Sequence, residues 1–200
     1  MKAFYLVVFA LLIGSCASIN RLTSPVPVDE GVTEMNFGMT MRPEMIRESS
    51  GDLLEILFAF EPVFGARTGI SARHDIGYRI HGAYVPQLVF DWKHVYLQKG
   101  DFYLSGDLAI MGMYLRSIGP QYDILFGKKR IYGTVGCNLD LMGFDSPLTF
   151  QAGIGGMNKG ANGIGWQINV GALTDYDMDF EGITTRFGIV YNWTPRKFRN

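Results

Sequence analysis

The residues that could do chemistry fall at intervals of two. Glu34, Arg42, Glu61, Arg67, Asp75, Arg79, His81, Asp91, Lys93, Asp107, Asp123, Asp140 and Arg186 would share one face of successive extended segments. Such groups can catalyse acid–base steps, hold a metal, line an ion path or neutralise one another, and each use demands its own spacing. Asp91 and His94 suggest a carboxylate–histidine pair for hydrolysis. On a strand, residues three apart point to opposite faces, so the two cannot cooperate directly. His81 has no serine at a telling distance, and His74 sits at a turn. Three scattered histidines and Cys137 lack metal-ligand spacing. Asp175, Asp177 and Asp179 could attract a divalent cation, but the glycine and terminal glutamate of a calcium loop are missing. The glycines at 153, 155 and 156 do not open a helix, so they cradle no phosphate. What fits is mutual pairing: acids and bases are mixed, and in a dry interior each would need the other. The same groups in a wet interior would line a narrow ion path. The expectation is a non-enzymatic protein without metal or cofactor.

The elements that would position these groups are strands, because apolar residues also recur with a period of two. Met35, Phe37, Met39 and Met41 oppose Glu34, Asn36, Gly38, Thr40 and Arg42; Ile76, Tyr78 and Ile80 oppose Asp75, Gly77, Arg79 and His81. Leu88, Phe90, Trp92, His94 and Tyr96 alternate with Val89, Asp91, Lys93 and Val95. The pattern continues through Ile164, Trp166, Ile168 and Val170 against Gly165, Gln167 and Asn169. Tight turns are expected at Ala72-Arg73, at residues 98–101 and at Lys128-Lys129, with further turns at residues 143–147 and at the Gly/Asn-rich stretch 158–163. Residues 43–55, with room for a short helix, and the acidic stretch 174–182 are the longest expected loops; residues 117–120 read as another. Pro62 is awkward inside a closed sheet, so a strand should start after it or bulge there. The sum is an all-β, up-and-down antiparallel transmembrane β-barrel of about ten strands, with eight as the alternative if one hairpin is lost. An even count returns both ends to one side, as in bacterial single-chain barrels.

Composition agrees. The chain has 200 residues, a net charge of −1, 18 % charged residues, 14 % aromatics and 25 glycines. One domain suffices for that length. The near-neutral balance gives no electrostatic reason to bind nucleic acid. Beyond the N-terminus no apolar run approaches the roughly eighteen residues of a spanning helix.

The N-terminus adds an address. Met1-Lys2 precedes an apolar core at residues 3–13, too short to span a bilayer. Leu12-Ile13-Gly14-Ser15-Cys16 then resembles the lipobox of bacterial lipoproteins. That resemblance implies cleavage after residue 15 and acylation of Cys16, and Ala17 leans towards outer-membrane sorting. Cys137 would then have no partner for a disulfide. Residues 16–31, with Ser24-Pro25-Val26-Pro27, read as a periplasmic tether, residues 32–193 as the barrel, and 194–200 as a basic tail.

Residues 183–193 resemble the closing strand of Gram-negative outer-membrane barrels, with Arg186, Gly188, Tyr191 and Trp193 at the signal positions. The wording of residues 65–113, through Gly65-Ala-Arg-Thr-Gly-Ile70, His74-Asp-Ile-Gly-Tyr-Arg79 and Phe90-Asp-Trp-Lys-His94, resembles an uncharacterised group of small outer-membrane barrel lipoproteins. The resemblance implies a barrel in the outer membrane, with membrane lipid and the barrel assembly machinery as partners, and brings no activity. The expected role is structural or concerned with small solutes, the lumen being plugged by the paired charges Glu61, Arg67, Asp75, Arg79, Asp91, Lys93, Asp107, Asp123, Asp140 and Arg186. The alternatives are a soluble periplasmic barrel of lipocalin type, whose apolar face would line a ligand cavity, and an ion-conducting pore.

Overall fold

The computed structural model describes residues 22–47, 54–82, 86–113, 117–139, 141, 148–158, 163–174 and 180–195. Among them there is no helix. Ten strands follow one another: β1 (Thr33–Arg47), β2 (Leu54–Ser71), β3 (His74–His81), β4 (Gln87–Lys99), β5 (Phe102–Met113), β6 (Ser117–Lys128), β7 (Ile131–Leu139), β8 (Leu148–Met157), β9 (Gly163–Thr174) and β10 (Phe180–Trp193). Each pairs antiparallel with its sequence neighbours, and β10 returns to β1, so the sheet is a closed up-and-down barrel of ten strands. Closure runs from Met35 opposite Trp193 to Met41 opposite Phe187. A closed ring leaves no long open edge for another chain to pair with.

The strands tilt strongly. Paired residues followed around the ring lead from Glu34 through Arg67, Gly77, Asp91, Ala109, Gln121, Asn138, Thr149 and Leu173 to Gly182. Gly182 lies well beyond the last β1–β10 pair, so the line does not close on itself but climbs. Small barrels tilt their strands by roughly 40° for this reason. Even β3, the shortest strand at 8 residues, then covers about 21 Å along the axis at ~3.4 Å per residue.

Alternation sorts the side chains as the sequence indicates, with the apolar set outward. On β4, Leu88, Phe90, Trp92 and Tyr96 are exposed while Val89, Asp91, Lys93 and Val95 are buried. Phe90 is 61 % exposed and Lys93 only 1 %.

Several expected boundaries are overturned. Residues 43–55 are mostly strand, since β1 runs to Arg47 and β2 starts at Leu54; only residues 48–53 lie outside the described set. Pro62 neither starts a strand nor marks a bulge. It pairs with Met39 in an unbroken β1–β2 register. The reason is local: β3 ends opposite Val63, and just past that end Gly82 N–H still donates to Pro62 O at 3.1 Å, so the proline keeps its acceptor role there and forgoes only one donor at the end of a ladder. Pro43, opposite Phe58, lies beyond the β1–β10 ladder in the same way. Residues 117–120 belong to β6, paired with β5, and Pro120 again sits just past the β6–β7 ladder, which stops at Gln121.

One turn is tighter than expected and another is displaced by one residue. Lys99 still pairs with Phe102 and Lys128 with Ile131, leaving Gly100-Asp101 and Lys129-Arg130 as the turn residues. Gly100 has φ +60°, which glycine adopts without cost. The expected acidic loop shortens because Thr174 closes β9 and Phe180 opens β10. Residues 143–147 and 175–179, with Asp175, Asp177 and Asp179, lie outside the described residues, as do Asp140, Cys16 and the signal segment.

Candidate functional site

The inward face of β2 to β5 gathers the charges into one network. Arg67 on β2 is its hub: Nη1 donates to Asp75 on β3, Nη2 donates to Asp91 on β4, and the Asp107 carboxylate on β5 lies 3.5 Å from Nη2. Arg79 completes Asp91 through the other carboxylate oxygen. Lys93 Nζ is 3.0 Å from Asp75 Oδ2. The geometry follows from register. Asp75 lies opposite Lys93, and Lys93 opposite Asp107, while Arg67 lies opposite Gly77. A Cβ on Gly77 would press on the Asp91 carboxylate and the Arg67 guanidinium, so the glycine opens the path by which Arg67 crosses β3. All six side chains are buried, Asp75 and Asp107 completely. Burial of ions is tolerable only when each has a counter-ion, and here each carboxylate lies within 3.5 Å of a cationic nitrogen.

The remaining expected members are placed differently. Asp123 is inward and buried but belongs to an amide cluster, accepting from Gln121 Nε2 at 2.8 Å and Gln151 Nε2 at 2.7 Å. Glu61 is half-buried and accepts from Thr40 Oγ1 at 3.4 Å. Arg186 is inward and buried on β10. Gly188 is also inward, while Tyr191 and Trp193 stack outward with ring centres 6.0 Å apart. Asp91 and His94 do lie on opposite faces: Asp91 points into the network, whereas His94 packs against His74, Trp92 and Tyr96 on the outer side. His81 is inward and 2 % exposed, with Nε2 unpartnered among the described residues. Cys137 is a free thiol.

Sequence reasoning missed two parts of the lumen. One is the amide set on β6 to β9. Beyond the Asp123 cluster, Gln167 Nε2 and Thr134 Oγ1 both donate to Asn169 Oδ1, at 3.1 and 3.4 Å. These residues alternate on the same face as the charges, which was the available signal. The other is the chain ahead of β1. Read from composition as part of a tether, residues 22–28 lie inside the barrel. A turn reverses the chain at residues 29–32, where Val32 N–H donates to Asp29 O at 3.0 Å and Gly31 takes φ +74°. Ahead of that turn the strap crosses the inner wall. Lys93 Nζ donates to Ser24 O at 3.1 Å and Val26 O at 2.9 Å, Ser105 Oγ donates to Pro25 O at 2.6 Å, and Val28 N–H donates to Asp75 Oδ2 at 3.0 Å. Leu22 is buried with Val63 and Val190. The signal was the uncharged Leu22-Thr-Ser-Pro-Val-Pro-Val28 itself, the kind of sequence that can enter a lumen without bringing a charge.

No family model, curated protein or solved structure matches the chain.

Proposed function

We propose that this chain is an outer-membrane β-barrel lipoprotein with a structural or small-solute role and no catalytic one, its lumen held closed by its own paired charges. The observation that carries the reading is the inverted distribution of side chains. Large apolar residues cover the outside, among them Phe60, Phe90, Ile110 and Ile131 at 58–63 % exposure, while Asp75, Arg79, Lys93 and Asp107 are at most 4 % exposed. Monomers in water rarely expose apolar patches beyond a few hundred Å². A bilayer favours this arrangement, and a spanning strand needs about 9–11 residues, within the range of 8 to 18 found here. Trp92, Tyr96 and Tyr122 lie on the outer wall, with the two tyrosine hydroxyls 2.9 Å apart, as interface aromatics would. The lipocalin reading would require the apolar face to line a cavity, and that face points outward.

In this reading the acyl group on Cys16 anchors the chain at the periplasmic leaflet, on the side of the short turns. Five residues separate Cys16 from Leu22, a link that spans up to about 20 Å when extended. The partners are membrane lipid and, during biogenesis, the barrel assembly machinery acting on the residue 186–193 signal.

The decisive test is Phe90→Arg. In a bilayer, a lipid-facing arginine near mid-depth should destabilise the barrel by about 2–4 kcal/mol. It is expected to lower the temperature at which the compact band is lost on a detergent gel and to reduce assembly into vesicles. A fully stable Phe90→Arg protein recovered from the aqueous phase would overturn the membrane reading. Metabolic labelling with a clickable fatty acid addresses the anchor: label should vanish in Cys16→Ala, and equal labelling of both proteins would refute acylation at this position.

A further inference from the structure

The in-lumen strap is not needed for charge balance. Residues 22–28 carry no ionisable side chain. Asp75, Asp91 and Asp107 already find Arg67, Arg79 and Lys93 within the wall. What the strap supplies are three carbonyl oxygens for Lys93 and Ser105 and one N–H for Asp75, and water can meet each of those groups equally well. Pro25 and Pro27 have no N–H, so the strap carries few donors that would be stranded inside the wall. A small cavity of about 30 Å³ remains beside it, bordered by Ser24, Val26, Arg67, Arg79 and Lys93. That is room for about one water at the contact surface.

The seat is shaped for a backbone. Gly69 lies where the strap enters, and a Cβ there would collide with the carbonyls of Val28 and Asp29. Gly31 N–H donates to Gly69 O at 2.9 Å, and Gly69 N–H to Val32 O at 3.0 Å, pinning the turn to the rim. At the other end Leu22 has φ +48°, a left-handed conformation that a leucine adopts only at a cost. Burial of its side chain against Val63 and Val190 offsets that cost. The strap is thus held at its rim, by a few main-chain bonds along its length, and by one apolar residue at its tip.

We infer that residues 22–28 are the removable part of the lumen's closure: seated against the paired charges, they complete the plug, and withdrawn, they leave a water-filled path along the Arg67, Arg79 and Lys93 side of the wall that passes small ions. The wall network survives withdrawal because its charges remain paired with one another. The inference rests on the membrane reading above, and the two can fail separately.

The test compares conductance in planar bilayers between the purified acylated full-length protein and a protein lacking residues 22–28, each first shown to be folded by heat-dependent migration. The expected result is a closed full-length protein and a steady conductance in the deletion. Gly69→Ala, which keeps the whole chain but crowds the strap at its entrance, should open part of the time even if the deletion fails to fold. A disulfide formed in Pro25→Cys with Ser105→Cys, in a Cys137→Ser background, should suppress the openings of Gly69→Ala, and reduction should restore them. Folded and inserted proteins that remain closed without the strap would overturn the inference, as would a full-length protein that conducts like the deletion. Failure of every form to insert would instead count against the membrane reading.

Discussion

Along β2 to β5 the buried polar positions are held mainly by arginine, lysine and aspartate; along β6 to β9 they are held mainly by glutamine, asparagine and threonine around Asp123. The first side reaches far. Arg67 touches carboxylates on three other strands, because a long guanidinium can fork between them. The second side spans at most one intervening strand, from Gln151 on β8 to Asp123 on β6 and from Thr134 on β7 to Asn169 on β9, and its space is set by glycines. A Cβ on Gly136 would occupy the place of the Asp123 carboxylate, and one on Gly153 that of the Asn169 amide. The strap lies against the charged side, where Lys93 has donors left after meeting Asp75. The comparison teaches that one barrel can fill its lumen in two ways: with long paired ions where a second chain segment must be gripped, and with short amides where the wall only has to close on itself.

The largest effect is expected from Arg67→Ala. It strips one cation from three buried carboxylates, and breaking a buried ion pair from one side costs about 3–5 kcal/mol. Loss of the compact band at ordinary temperature, or failure to refold from urea, is the readout. Arg79→Ala should come next, near the lower end of that range at about 3 kcal/mol, because Asp91 keeps Arg67. If water fills the charged side, it would screen the orphaned carboxylate, and Arg79→Ala would be mild in urea titration.

Gln151→Leu probes the amide side. It removes one donor from Asp123 while Gln121 remains, and should cost about 1–2 kcal/mol. A loss as large as that of Arg67→Ala would erase the proposed distinction between the two sides. Ile80→Ala, on the outer face, should be the smallest change, at or below about 1 kcal/mol in lipid vesicles, because acyl chains can fill the space that the side chain leaves. An Ile80→Ala loss exceeding that of Arg79→Ala would mean that stability resides in the outer wall rather than in the lumen.

Much of this was readable in residue order. Alternation along residues 88–96 separates Phe90 and Trp92 from Asp91 and Lys93, and the same pattern repeated between turn residues gives the strand count. That residues 183–193 close the ring against the first strand was legible from their signal, while the pairing of Tyr191 with Phe37 at that seam is set by register. Strand ends were less readable. Pro43, Pro62 and Pro120 look like stops, yet each is tolerated where a neighbouring strand has already ended, and that depends on the lengths of other strands.

The sequence by itself determined which side of the sheet each residue takes, because successive Cβ atoms point to opposite faces whatever the rest of the chain does. Only the tertiary structure decided the partners: Asp91 shared between Arg67 and Arg79, Asp123 given to glutamines, and the backbone of residues 22–28 given to Lys93 and Ser105. Those pairings depend on register and tilt, which all ten strands set together when the ring closes.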